Sequence, residues 1–160
     1  MKAAWMVWAL GTAAAGLFLA LAWYLAPLEP NVLALQLCFT PRAFGQIVHL
    51  WSPEQLARFR THLLADFALL LIYAGFGYFL AARVAFAAGG RSRARWLLPA
   101  AATFDALENL LHLWLTAAPR LEVYWPYPLA GAAATAKWLL ILAFAAWVWV
   151  VVQRAWRRAS

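Results

Sequence analysis

The residues best suited to chemistry in this chain are ionisable and polar side chains inside otherwise apolar segments. They lie in three segments: Asp66 in one, Lys137 in another, and Asp105, Glu108, Asn109 and His112 together in the third. A charged side chain near the centre of a bilayer costs about 2.5–3.5 kcal/mol, so such residues usually meet one another or take part in function. They form the candidate functional site of this sequence.

The chemistry that these residues suggest is proton transfer. Three carboxylates accompany one lysine, and burial favours a neutral carboxyl group, so we expect one acid to hold its proton at neutral pH. A general acid–base pair would use Glu108 or Asp105 as the acid and His112 or Asp66 as the base. In the alternative interpretation Lys137 pairs with Asp105 or Glu108, and the network only fixes the register of the helices.

The composition predicts a single integral membrane domain over residues 1–160. The chain is 67% hydrophobic and only 12% charged, which is too apolar for a soluble domain. Its net charge of +7 comes from basic residues at the ends of apolar segments, a pattern of membrane topology rather than of nucleic-acid binding. The single Cys38 excludes an intrachain disulfide and any cysteine-based metal site.

Four apolar runs are long enough to span a bilayer as helices, which requires about 20 residues. They cover residues 4–26, 62–86, 96–117 and 128–152. The first run is longer than the apolar core of a usual signal peptide, so we expect a retained helix. The fold class is therefore an all-α, four-transmembrane-helix bundle.

The distribution of basic residues predicts the orientation of the bundle. Eight lie at the two termini and around the 87–95 connection, against four in the other two connections. The positive-inside rule then places both termini in the cytoplasm.

The first extracytoplasmic connection, about 27–61, is long and contains two helix-start signals. Thr40 precedes Pro41, and Ser52 precedes Pro53 with Gln55 at the capping-box position. We expect short interfacial helices here and a second helix that continues into the membrane. The segment 41–51 lies over the bundle as a lid or, in the alternative interpretation, is only a packed surface helix.

Helical periodicity brings the polar residues together. At about 100° per residue, the four polar residues of the third segment share one face, and His62, Asp66 and Tyr73 share a face of the second. The small residues around Lys137 allow a neighbouring helix to approach. The predicted ligand-binding set comprises Lys137, Asn109, His62, Tyr73, Trp114 and Trp138, the two tryptophans as stabilisers of a cationic intermediate.

The spacing of the polar residues fits a cofactor site less well than it fits proton transfer. His62 and His112 lie at matching depth and offer haem ligation as an alternative. A di-metal carboxylate site would need Glu-x-x-His pairs on two helices, whereas Glu108 and His112 are four apart and unrepeated. We therefore expect no metal and no cofactor.

Four stretches of the chain resemble a group of small, uncharacterised bacterial four-helix membrane proteins. They are LALQLCFTPRAF, FRTHLLADFALLLIYAGFGYFL, LLPAAATFDALENLL and KWLLIL, and the string LP-x-x-A-x-x-D-x-x-E-N is the most specific. This resemblance implies a multi-pass protein of the bacterial inner membrane.

The chain is also similar to the EXPERA superfamily, which includes the sigma-2 receptor and emopamil-binding protein. The shared features are four short helices, a long first extracytoplasmic loop and an acidic residue early in the second helix, here Asp66. The resemblance implies buried acids that hold amine ligands or isomerise a sterol double bond. Ala34 stands where that family has an aspartate, which argues against amine binding of that type.

The leading hypothesis is a membrane protein that binds a hydrophobic small molecule or lipid in a polar pocket of the outer leaflet. If it is an enzyme, the expected chemistry is proton transfer such as double-bond isomerisation of an isoprenoid or sterol-like lipid. The alternative is a non-catalytic accessory or structural subunit, with other membrane subunits or a second copy as partners. Nucleic acid is excluded as a partner.

Overall fold

The structure is a computed structural model that describes residues 2–87, 92–118 and 121–159. Within these ranges all regular structure is helical, which confirms the predicted all-α class. The α-helices are α1 (Lys2–Leu25), α2 (Val32–Gln36), α3 (Pro41–Leu50), α4 (Pro53–Ala87), α5 (Leu97–Ala117) and α6 (Pro126–Ala159), and a 3-10 helix covers Arg93–Trp96.

Among the described residues, three helices are long and apolar enough to cross a membrane, over Ala4–Leu25, Pro53–Ala85 and Pro126–Arg157. Large apolar side chains on these helices point away from the protein. Trp8 is 78% exposed and Trp23 is 80% exposed. Soluble proteins rarely expose extended apolar surfaces, so these faces indicate association with a membrane.

The long helices pack in the order α1, α4, α5, α6. Glycines permit the closest approaches. A Cβ at Gly77 of α4 would lie 2.6 Å from Cβ of Leu98 on α5, and one at Gly11 of α1 would lie 2.9 Å from the Phe76 ring. The helix α5, which carries most of the polar residues, is thereby held between α4 and α6.

The two helix-start signals of the first connection form as predicted. Thr40 Oγ1 accepts a hydrogen bond from the Ala43 N–H at 3.2 Å, with Pro41 in the first turn of α3. The Ser52 N–H donates to Gln55 Oε1 at 2.9 Å, and the Gln55 N–H donates to Ser52 Oγ at 3.2 Å, which is a capping box. Beyond it α4 continues without interruption to Ala87.

An apolar cluster joins α2 and α3 to one end of the long helices. Its largest buried members include Leu35, Phe44, Phe59, Leu115 and Tyr127. The Trp51 indole N–H donates to the Pro30 carbonyl at 2.8 Å and fixes the chain after α3. The α3 helix therefore covers the end of the bundle at which α5 ends and α6 begins.

Two arginines of α4 bind the carboxyl ends of neighbouring helices. Arg58 donates to the Tyr24 carbonyl of α1 at 2.8 Å. Arg60 donates to the Leu113 carbonyl of α5 at 3.1 Å and to Thr116 Oγ1 at 3.0 Å. The Tyr24 carbonyl lies in the last turn of α1, where carbonyls lack intrahelical partners and attract cations, so the Arg58 contact stabilises the end of that helix. The Arg60 contacts join α4 to the last two turns of α5.

Candidate functional site

The centre of the site is Lys137 of α6, which is 4% exposed and reaches two carboxylates of α5. Its Nζ donates to Asp105 Oδ1 at 3.0 Å and lies 2.7 Å from Glu108 Oε2. Lys137 lies about 17 Å from the start of α6, between the distances of Glu108 and Asp105 from the end of α5, which are about 14 Å and 18 Å, so its amine can reach both carboxyl groups.

Asp105 has a partner for each of its oxygens. Oδ1 accepts from Lys137, and Oδ2 accepts from the Tyr73 hydroxyl of α4 at 2.9 Å. Three helices, α4, α5 and α6, therefore meet at this carboxylate. Buried charges are tolerated where such partners satisfy them, so the arrangement is typical of an ionised, structural carboxylate.

Glu108 is fully buried but less completely paired. Its Oε2 contact with Lys137 is an ion pair whose angles differ from those of a hydrogen bond. Its Oε1 accepts no hydrogen bond from the described residues, and His112 Nδ1 lies 3.7 Å from it. A buried oxygen without a donor is unusual in proteins and marks a position where a proton or another group can bind.

Aromatic rings surround His112, which is 1% exposed. The Phe44 ring of α3 stacks on the imidazole with 6.0 Å between centroids, and Phe59 of α4 meets it edge-on at 5.9 Å. The α3 helix thus contacts the polar cluster directly. Neither phenylalanine was predicted from the sequence, although Phe44 is the buried residue on the apolar side of an amphipathic helix, a signal that could have identified it.

Asp66 and Asn109 form a second contact between α4 and α5. The Asn109 amide donates to Asp66 Oδ2 at 2.7 Å. Asp66 is half-buried and, among the described residues, forms no ion pair with Lys137. The predicted site residues are therefore gathered in one region, but Asp66 meets the amide and not the lysine.

The remaining predicted residues lie around this core. His62 contacts the Phe59 carbonyl through Nδ1, and its ring lies 4.9 Å from that of Phe59. Trp138 has Lys137 Nζ 5.3 Å from its ring and donates from Nε1 to Gln36 Oε1 at 3.2 Å. Trp114 instead stacks on Trp125 at 5.9 Å, in the connection to α6.

The two histidines of the haem alternative both pack on the Phe59 ring. Within the described part of the chain, no three histidine, cysteine, aspartate or glutamate side chains are arranged to hold a metal ion. A cavity of about 530 Å³ lies outside the cluster, between the start of α3 and the α5–α6 connection.

The chain matches no family model, no curated protein and no solved structure.

Proposed function

We propose that this protein is an integral membrane protein that transfers protons to and from a hydrophobic small molecule, with Glu108 as the transferring group. The observation that carries the proposal is the fully buried Glu108 Oε1, which accepts no hydrogen bond from the described residues and has His112 Nδ1 at 3.7 Å. The reaction class is double-bond isomerisation of an isoprenoid or sterol-like lipid.

In the proposed membrane arrangement α5 is the fourth spanning helix of a bundle in the bacterial inner membrane. Both termini then lie in the cytoplasm, and α2 and α3 lie at the outer interface. Support comes from the outward apolar faces of the long helices and from the packing of α5 between α4 and α6.

The number of charges favours a proton on Glu108. Lys137 lies between two carboxyl groups, so one additional proton makes the group of three neutral, which apolar surroundings favour. Asp105 receives hydrogen bonds from both Tyr73 and Lys137, whereas Glu108 Oε1 receives none. We therefore place the proton on Glu108 and assign Asp105 to holding Lys137.

The proposed reaction consumes no net protons. Glu108 donates its proton to one carbon of the substrate double bond, and the resulting carbocation is stabilised by neighbouring aromatic rings. The imidazole of His112 accepts a proton from the carbon on the far side of the cationic carbon, which forms the shifted double bond. Release of that proton to solvent and uptake of another by Glu108 restore the starting state, so the reaction is balanced and no co-reactant is needed.

The test is incorporation of deuterium. Membranes containing the protein would be incubated in D2O with farnesol, with a sterol that has a ring double bond, and with the total lipid extract of the same membranes. We expect the wild type to produce deuterium-labelled lipid detectable by mass spectrometry, and Glu108→Gln to produce none while remaining folded.

The matched control is Glu122→Gln, the same chemical change at an exposed carboxylate outside the cluster. It should retain wild-type labelling. Labelling by the wild type no greater than that of membranes without the protein would overturn the proposal, as would undiminished labelling by Glu108→Gln.

A second candidate function, a non-catalytic subunit of a larger membrane complex, is favoured by the apolar outer face of α6. Leu139, Leu142 and Trp149 are each more than 60% exposed there, a surface that suits partner helices as well as lipid. Purification in mild detergent separates the two candidates. A stable larger assembly without deuterium labelling supports the subunit, and a labelling-competent monomer or dimer supports the enzyme.

A further inference from the structure

A groove of about 530 Å³ lies at the end of the bundle, between the first turn of α3 and the residues before α6. Its walls include Gly45 on one side and Leu121 and Tyr124 on the other. The absence of a side chain at Gly45 keeps the groove open, since even a Cβ there would lie 3.3 Å from Leu121 Cδ2. The lining is largely apolar.

Among the described residues that line this groove, Arg42 is the one cation. Arg42 is exposed and, within the part of the chain that the structure describes, forms no ion pair or hydrogen bond. Arg58 and Arg60, the other arginines of the same connection, are both bound to helix-end carbonyls. Arg42 therefore differs from them in having its guanidinium donors available to a ligand.

The groove also lies at a suitable level for a lipid headgroup. Tyr124 and Trp125 are exposed beside it, and such aromatic residues collect at the boundary between hydrocarbon and water. A guanidinium forms paired hydrogen bonds with phosphate oxygens. An apolar groove with an unpaired arginine at its rim matches a molecule with an anionic phosphate at one end and an acyl chain at the other.

We propose that this groove binds an anionic membrane phospholipid, with its phosphate on Arg42 and an acyl chain between Gly45 and Leu121. The site is separate from the Lys137 cluster and does not depend on the proposed proton transfer. A lipid held there would contact the lid helix directly, because Arg42 and Gly45 both belong to α3.

The test uses the full-length protein in a neutral detergent. Native mass spectrometry would count the molecules of phosphatidylglycerol and of phosphatidylcholine, with identical acyl chains, that each variant retains. We expect the wild type to prefer phosphatidylglycerol. Arg42→Gln should weaken that preference about fivefold, as expected for one basic residue at a membrane surface.

Further variants distinguish the effect of the Arg42 charge from the effect of the space in the groove. Arg42→Lys should keep most of the preference, and Gly45→Leu should reduce retention of both lipids by filling the groove. Arg157→Gln, which removes an exposed arginine at the opposite end of α6, is the matched control and should behave as the wild type. Thermal unfolding of each variant verifies that it is folded.

Three results would overturn the proposal: equal retention of the two lipids by the wild type, an unchanged preference in Arg42→Gln, or an equal loss in Arg157→Gln. A dimer that Gly45→Leu abolishes, without any change in lipid retention, would also overturn it by assigning the groove to a second copy of the chain.

Discussion

Lys137 is the residue on which the buried cluster depends. It is the cation shared by Asp105 and Glu108, and all three side chains are buried. Its attraction to the two carboxyl groups of a neighbouring helix offsets the free energy of burying three ionisable groups. Removal of the lysine would leave the Asp105 carboxylate without a counter-charge and Glu108 without its cationic partner.

We therefore expect Lys137→Met to lower the free energy of unfolding by about 3–5 kcal/mol, as for other buried pairs that lose one partner. Further substitution with Asp105→Leu and Glu108→Leu removes the two buried carboxyl groups that have lost their cationic partner, and it should recover most of that loss. Reversible unfolding in mixed micelles measures both effects. If Lys137→Met alone is as stable as the wild type, Lys137 is not essential to the packing.

At the residue scale, the sequence predicted which side chains meet but not how they pair. Periodicity predicted a shared face for the α5 polar residues, all of which are buried. It did not distinguish Asp105, which has a hydrogen-bond donor for each oxygen, from Glu108, neither of whose oxygens accepts a hydrogen bond from the described residues. That distinction depends on the position of Tyr73 across a helix interface, which spacing along one helix does not specify.

The contacts between helices depend on where small residues meet. Gly77 of α4 lies against the Leu98 side chain of α5, whereas an added Cβ at Gly16 of α1 would meet nothing within 4 Å. Both glycines lie in helices, so the local conformational effect of an alanine is the same at the two positions. Only the surroundings differ.

Alanine substitutions at these two glycines should change the free energy of unfolding in opposite directions. Gly77→Ala should lower the free energy of unfolding by about 1–3 kcal/mol, because the new methyl group would overlap Leu98. Gly16→Ala should raise it by about 0.5–1 kcal/mol, the usual gain for alanine over glycine in a helix. Equal effects at both positions, measured by the same unfolding assay, would contradict the packing of α4 on α5.

At the scale of helices, the sequence identified the start signals of α3 and α4 because capping is local. The apolar runs likewise gave the long helices, although α4 begins at Pro53, well before the predicted span at 62. The sequence did not predict which helices pack against each other. The packing order α1, α4, α5, α6 and the binding of Arg58 and Arg60 to helix ends require contacts between residues that are 34 or more positions apart.

The orientation of the whole molecule in the membrane can be tested by labelling introduced cysteines, because its own cysteine is expected to react weakly. Cys38 is buried, and burial raises the pKa of its thiol, which lowers the fraction of reactive thiolate. New cysteines at exposed positions should therefore react well above this background.

We expect Gln46→Cys, on the outer surface of α3, to react with a membrane-impermeant maleimide in intact cells. Arg93→Cys, at an exposed position of the arginine-rich connection before α5, should react only after the membrane is permeabilised. Labelling in the reverse pattern would invert the proposed orientation, and labelling of both positions in intact cells would contradict the spanning arrangement.

At this largest scale, composition predicted an all-helical protein with apolar spanning helices because these properties follow from averages over long segments. It did not predict that α3 would stack the Phe44 ring on the imidazole of His112. That contact depends on the path of the chain between α1 and α4, which the composition does not determine.

The central claim is that the buried cluster holds a transferable proton on Glu108. Infrared spectroscopy of the full-length protein in lipid nanodiscs at neutral pH tests it most directly through the carbonyl stretch of a protonated carboxyl group. We predict that this band is present in the wild type and in Glu122→Gln and is lost in Glu108→Gln. Absence of the band from the wild type, or its persistence in folded Glu108→Gln, would contradict the claim.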